Sequence, residues 1–354
     1  MAGIVGYSVY VPMYRLKQLD AATPWNNFAM GEKAVCGPDE DVVTMAVEAA
    51  KNAIKQAGVD PTQIEALHIA TASSPYFEQY IAPILAETLE IPADATVQDF
   101  CGSLNSMSMA LLACLDAIAA GRIKLGLVVG TENRRTHPGT EGELNFGAGA
   151  AALVVGTEDT IVEIDGVSNY SSLFHDRWRA ATESHVNNAV GDRTFYDAHV
   201  TNEFDGRFDR EFGYQKHIGE SLKGVMKKVR KKPDDYNHVV LPQPAAGHPK
   251  LIAKDLGIKQ GLAPTTVVQA LGDLGSVSSY VVLGGVLDNA KAGERILLAS
   301  YGSGSSTGIS MIVTDSIDTK RNLVKPLQKQ IERKRYINYV NYLKMSENII
   351  RAPY

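Results

Sequence analysis

The chain has 354 residues, 45% of them hydrophobic and 21% charged, with a formal net charge of −5. Such a length holds two domains or one large two-lobed unit, and the acidic balance argues against a protein that works by neutralising nucleic-acid phosphates. Three cysteines (Cys36, Cys101 and Cys114) without paired spacing argue against a disulfide framework or a zinc site. The opening MAGIVGYSVYVPMYR lacks a signal-peptide layout. No window is apolar for long enough to span a bilayer; the apolar run Ala110–Ala120 is short and contains Asp116. A soluble, reducing compartment, the cytoplasm, is therefore expected, with no metal, membrane or nucleic-acid partner.

In chain order, Thr44–Gly58 carries apolar residues at spacings of three and four and predicts a helix. An Asp-Pro turn over Val59–Gln63 and a β-rich run over Ile64–Ala72 follow. Ala95–Glu132 then reads as a strand ending in a Gly-containing turn, a small-residue helix within Ser103–Gly121 and a second strand. Phe146–Gly156 adds a glycine-studded strand. The same order returns: a helix over Ile218–Arg230, a Pro-Asp turn, a β-rich run over Asn237–Ala245, then Thr265–Gly302 as strand, small-residue helix (Gly275–Ala292) and strand, and a final strand within Gly302–Thr314. Lys227–Lys232 reads as the solvated terminus of its helix. Helix and strand alternate, and several strands are nearly all apolar, as when helices cover both sheet faces. Two similar halves, 1–165 and 166–354, are predicted to be duplicated α/β units. The small side chains of the two central helices predict close helix packing in the middle.

This layout and its motifs resemble the thiolase superfamily and, within it, the archaeal-type 3-hydroxy-3-methylglutaryl-CoA synthases. The likeness runs from GIVGYSVYVPMYRL through VLDNAKAGERILLASYGSGSS to KRYINYVNYLKMSENII, nearly the whole chain. It implies an α/β thiolase fold of duplicated, five-layered αβαβα architecture, a coenzyme A thioester as ligand in a tunnel, no covalently bound cofactor, and dimerisation through the N-terminal half. Enzymes of this kind use a cysteine nucleophile, a glutamate base and a histidine acid, which is covalent catalysis joined to proton transfer.

Each of those positions is substituted. The glutamate segment resembles GSESxPY, and here Ala70-Thr71-Ala72-Ser73-Ser74-Pro75-Tyr76 puts Ala72 at the base. Counting without gaps from Pro75-Tyr76 forward, and from Cys114 and Gly121 backward, puts Leu104 at the nucleophile. The histidine motif resembles HQPNGKFP, and Pro242-Gln243-Pro244 through His248-Pro249 puts Pro242 at the histidine. A Gly-Asn turn of the family reads Gly272-Asp273. Alanine, leucine and proline side chains carry neither a nucleophile nor a transferable proton.

Other parts of the pattern remain. Arg207-Phe208 through Tyr214-Gln215-Lys216-His217 resembles the RF…YFKH segment near the CoA entrance, so Lys216 and His217 fit either a CoA contact or a solvated helix end. Gly147 and Gly149 fit close strand packing, whereas Gly302 and Gly304 fit that or backbone approach to a thioester. The stretch 179–206 is longer than the family pattern; it holds His185 and His199 among aromatics and acids and reads as a partner surface or lid.

The expected function is a non-catalytic subunit that supports an active thiolase- or synthase-like paralogue in a heteromeric acyl-CoA condensing or cleaving enzyme, an acyltransferase at the level of the complex. A small zinc-ribbon/OB-fold protein is a plausible third partner by the same resemblance. The alternative is a divergent acyltransferase with Cys101 as a relocated nucleophile and His248 beside it. Against that alternative, an unpaired cysteine is usually a small buried apolar residue.

Overall fold

The computed structural model describes residues 2–76, 78–178 and 206–349, together with the backbone of 184–187, 193–196 and 202–203. The elements that build its frame are, in chain order, β1 (Gly3–Tyr10), α1 (Val42–Ala57), β2 (Ala66–Thr71), α2 (Ala82–Thr88), β3 (Thr96–Cys101), α3 (Ser106–Ala119), β4 (Leu125–Asn133), β5 (Ala148–Gly156) and β6 (Val162–Ser171). They continue as α4 (Lys216–Lys228), β7 (His238–Val240), α5 (His248–Asp255), α6 (Thr266–Leu271), α7 (Ser278–Leu287), β8 (Arg295–Gly302) and β9 (Ser305–Val313).

The strands form a nine-stranded sheet in the order β7-β8-β9-β6-β1-β5-β4-β2-β3. Its two halves repeat one plan. In the first, β2 pairs in parallel with β3 and β4, then β4, β5 and β1 run antiparallel. In the second, β7 pairs in parallel with β8, then β8, β9 and β6 run antiparallel. The halves meet where β1 pairs with β6 through Gly3↔Glu163 and Ile4↔Val162, so residue 165 falls inside a strand.

Side chains on each strand alternate between two cores, because successive residues point to opposite faces. On β8, Leu297, Ala299 and Tyr301 join the outer cluster under α4 and α5, while Ile296 and Leu298 join the central one. On β5, Ala150, Ala152 and Val154 pack under α1, while Ala151, Leu153 and Val155 face the centre. Helices α3 and α7 lie in that central layer, supplying Met107, Ala110 and Leu111 on one side and Val281 and Leu283 on the other. The result is the αβαβα order of layers expected from the resemblance. Helix α1 forms as its sequence dictates: Asp41 caps it in a reciprocal box with Thr44, Met45, Ala49, Ala53 and Ala57 are buried along one face, and Gly58 ends it at φ 71°.

One predicted strand is a helix. The run from Thr265 is expected to mirror β3, but Thr266–Leu271 forms α6, and just before it an isolated parallel bridge joins Leu262 to Val239 of β7. The Gln243 side chain explains the change: its Oε1 accepts from Val268 N at 3.2 Å and its Nε2 donates to Pro264 O at 3.0 Å, clamping the first turn. Most of the 179–206 stretch, with the side chain of His185 and all of His199, lies outside the described residues. Among the described residues no helix is long and apolar enough to cross a membrane, and no group of His, Cys, Asp or Glu is placed to hold a metal ion.

Candidate functional site

The ends of β2, β3, β7 and β8 converge on one cleft. Leu104, Pro242 and Asp273 line its main part with Tyr214, His248 and Gly302, around about 630 Å³ of space that includes the solvent at its mouth. Ala72 lines an adjoining recess that shares Leu104, Arg177 and Ser303 with it. The four substituted positions, distant in sequence, are thus brought to one place.

Local backbone chemistry sets each of them. Leu104 sits in the turn between β3 and α3, where Gly102 has φ 84°. There Ser103 Oγ accepts from Asn105 N at 3.1 Å and donates to Gly302 O at 3.2 Å. A Cβ on Gly302 would lie 2.4 Å from Leu104 N, so only glycine lets β8 approach this turn. Pro242 follows β7, and its carbonyl accepts from Tyr214 OH at 2.7 Å. Gly147 serves packing beside Asp273, for a Cβ there would lie 1.9 Å from Leu271 O; one on Gly149 would meet Tyr10 O at 3.2 Å, and one on Gly304 Ser172 O at 2.4 Å.

Where the resemblance implies a catalytic set, the cleft holds an ion cluster. Asp273 Oδ2 pairs with Arg134 at 2.7 Å and Arg177 at 3.0 Å, and Oδ1 accepts from Gly275 N at 2.9 Å. Burial pushes the Asp273 carboxyl pKa up, but the two guanidiniums outweigh it and hold the group below its ordinary value. Beneath Ala72 lies Glu132, fully buried, whose Oε1 accepts from Ala72 N at 2.8 Å and from Ser276 Oγ at 2.5 Å and whose Oε2 accepts from Ser73 Oγ at 2.6 Å. Tyr301 OH donates to Asp176, and burial and that carboxylate raise its pKa.

The remaining candidates fall differently. Cys101 ends β3, lines neither part of the cleft, and has no hydrogen bond to His248 among the described residues. Although the residue is solvent-exposed, desolvation of its sulfur, then Asp99 and Glu132, push the thiol up to about 11, which disfavours a thiolate. Lys216 is exposed on the outer surface of α4 beside Glu220 and Asp255. His217 is fully buried, not solvated, and both ring nitrogens are engaged: Nδ1 donates to Gly213 O at 2.7 Å, which leaves Nε2 to accept from Ser172 Oγ at 2.8 Å. It has no nitrogen left for a ligand. A run of π-helical turns over Asp209–Gln215 leads into α4 and brings Asp209, Arg210 and Tyr214 to the cleft. Arg134, Arg177 and Glu132 are not legible as site residues in the sequence; Glu132 and Arg134 carry one signal, charge at the end of an otherwise apolar run, and Arg177 in its polar stretch carries none.

His248 does line the cleft, at the first turn of α5, edge-on to Tyr214 with ring centroids 5.2 Å apart. Burial, then Arg177 and Arg210, lower its pKa to about 4 against the opposing pull of Asp273. The folded value lies below the ordinary one of about 6.5, so the unfolded chain binds the extra proton in between, and stability complete above that pH falls towards pH 4 by up to about 3 kcal/mol. Urea unfolding at about pH 7 and about pH 4.5 should show a clearly smaller loss in His248→Asn than in the parent. An equal loss in both proteins would remove His248 as the cause.

Comparison with known proteins agrees with this architecture. Residues 28–170 match the family described as thiolase, N-terminal domain. The hydroxymethylglutaryl-CoA synthase of Methanocaldococcus jannaschii is 34% identical over 99% of this chain and 99% of its own length. That of Pyrococcus furiosus is 34% identical over 98% of this chain and 97% of its own length. Among solved structures, MvaS in complex with 3-hydroxy-3-methylglutaryl coenzyme A superposes with a TM-score of 0.84 at 20% identity, covering 97% of this chain and 91% of that one. A 3-oxoacyl-acyl-carrier-protein synthase III from Aquifex aeolicus gives 0.73, covering 88% of this chain and 100% of that one. The sequence relatives, matched from end to end, decide the family where these structures speak for the fold: the chain belongs to the hydroxymethylglutaryl-CoA synthase family of the thiolase superfamily, and it carries Ala72, Leu104 and Pro242 in its cleft.

Proposed function

We propose that this protein is a CoA-thioester-binding subunit without chemistry of its own, which supports an active thiolase- or synthase-like paralogue in a heteromeric acyl-CoA condensing or cleaving enzyme. The observation that carries the reading is the pairing of an open cleft with Ala72, Leu104 and Pro242 on its walls. A thioester entering that cleft would meet no nucleophile on its walls at the end of β3. Cys101 does not restore one, since it stands outside the cleft with a raised thiol pKa.

A fold kept without its reactive groups is used through its surfaces and its pocket. The edge strand β3 is partly exposed along its length, and Tyr80, Ile84 and Met109 stand exposed on the same half. This suits the N-terminal dimer face implied by the family, where obligate pairs bury on the order of 2,000 Å² or more. A small zinc-ribbon/OB-fold protein is proposed as a third component, and the cytoplasm as the site of action.

Co-expression with the thiolase-fold chains encoded nearby, followed by size exclusion and assay, tests the reading. The expected result is a stable heteromer whose turnover needs the partner's cysteine and falls when this subunit is left out. If each such chain is fully active alone and none co-elutes with this one, the heteromeric role is wrong, and a homodimer with its own ligand takes its place.

A further inference from the structure

We propose that the basic ridge of Lys325, Lys329, Arg333, Lys334 and Arg335 is a docking surface for an acidic protein, a component of the assembly other than the one joined at β3. The proposal rests on the heteromeric reading above and adds the place and the charge of a further component.

The ridge runs along the helix α8 (Leu327–Glu332) and the two-residue strand β10 (Arg335–Tyr336) that follows it. One side of α8 is fixed to β1 and its end: Leu327 is buried, and the Gln330 side chain accepts from Val11 N at 3.1 Å and donates to Val9 O at 2.8 Å. Lys329, two positions after Leu327, falls on the opposite side, and all five basic residues of the ridge are exposed. β10 is the edge of a three-stranded sheet, beside the strand Tyr14–Lys17, whose Lys17 is exposed as well. The Nζ atoms of Lys17 and Lys334 lie 5.1 and 5.3 Å from the centroid of the half-exposed Tyr336 ring, so a sixth cation joins the same face.

Little on the molecule answers this charge. Within 320–335 seven side chains are basic and one is acidic, although the whole chain is net negative at −5. Lys329 pairs with Glu332 at 3.1 Å and Lys334 with Glu32 at 2.6 Å, whereas Lys325, Arg333 and Arg335 have no ion pair among the described residues. Gathering like charges on one face costs stability through self-repulsion, which a partner of opposite sign relieves. A nucleic acid or an anionic membrane would press an extended negative surface against the acidic remainder of the chain, whereas a protein confines its acidic groups to the patch that docks. Exposed charges steer and orient such a partner more than they hold it. In the sheet β1 is four strands from β3, roughly 20 Å away, so both faces can be occupied at once. The other basic run, Lys227–Lys232, is followed at once by Asp234 and Asp235, and Asp235 accepts from Lys232 N at 2.7 Å.

Co-expression with the chains encoded nearby, followed by size exclusion, tests this on three proteins: the parent, Lys325→Glu/Lys329→Glu/Arg333→Glu on the ridge, and Lys227→Glu/Lys231→Glu/Lys232→Glu as a control. Thermal melts establish that the variants fold. The ridge variant should lose one acidic component that the parent and the control retain, while its pairing with a thiolase-fold chain persists. At low salt the association rate of that component should fall about tenfold or more in the ridge variant, and raising the salt should slow the parent. Equal assembly and equal rates in all three proteins overturn the proposal. It is equally wrong if the parent recruits a thiolase-fold chain and nothing else. If nothing co-elutes with the parent, it is the heteromeric reading that fails, and a fluorescent polyglutamate peptide then tests the ridge by itself. An anisotropy rise that the ridge variant abolishes and the control keeps supports the acidic-protein site. No binding, or binding only to a single-stranded oligonucleotide or to phosphatidylglycerol vesicles, overturns it.

Discussion

Incubated with acetyl-CoA, the purified chain is expected to gain no acetyl group on any of its three cysteines. Cys36 and Cys114 are buried, and burial raises both thiols, that of Cys114 to about 12. Cys101 is exposed but also raised, and it lies outside the cleft. Loss of a nucleophile together with its base costs on the order of 10⁶ in turnover, so condensation with acetoacetyl-CoA should stay at background as well. Leu104→Cys is expected to behave differently. Its thiol would stand two residues before the first residue of α3, a 14-residue helix whose N-terminal amides favour a thiolate. Intact-mass measurement should find one acetyl adduct in Leu104→Cys and none in the parent. An adduct on Cys101 of the parent, lost in Cys101→Ser, would establish the relocated nucleophile instead.

Asp273→Ala is expected to destabilise the fold by about 3–5 kcal/mol, because it strips two guanidiniums of their shared counter-ion inside the protein. The setting supports the upper part of that range: the side chains of Arg134 and Asp273 are 3% and 4% exposed. The Asp273 backbone also ties α6 to the segment before β5, donating to Asn145 O at 2.7 Å and accepting from Gly147 N at 3.0 Å. Arg177→Ala, which leaves Arg134 in place, should cost less. The pH dependence has a definite sign. A carboxyl whose folded pKa is depressed contributes stability above its unfolded pKa, about 4, and that contribution is lost as pH falls through the folded value. Denaturant unfolding from neutral to acid pH should therefore show Asp273→Ala and the parent converging as the pH drops. A cost below about 1 kcal/mol at neutral pH would mean that the cluster is wetter and weaker than its burial indicates.

Much of this protein is legible from its residues. Helix α1 announces itself by Asp41 at its start, apolar residues at spacings of three and four, and Gly58 at its end. The duplicated plan shows in two runs of helix, Pro-containing turn and apolar strand, and in the nine-stranded sheet the first run's half contributes five strands and the second's four, α6 standing where a strand is expected. Ala72 and Pro242 are read from the register of their motifs and Leu104 by counting between anchors, and the three residues line adjoining parts of one cleft. These features are short-range or periodic, so neighbouring residues suffice to determine them.

Contacts between distant segments decided the rest. The β-branched run Thr265–Val268 has strand propensity, but the side chain of Gln243, some two dozen residues earlier, holds it as a helix. His217 looks like a polar helix residue until Ser172 and Gly213 close around its ring. The cluster of Arg134, Arg177 and Asp273 draws on three separated stretches of chain, and none of them marks the others in sequence. Sequence alone determined the family plan and which residues, Ala72, Leu104 and Pro242, stand at the counted and motif-matched positions, because these depend on residue identity along the chain. Only the tertiary structure decided which charges gather around them, because a buried charge is tolerated only where the fold brings its counter-charge within reach.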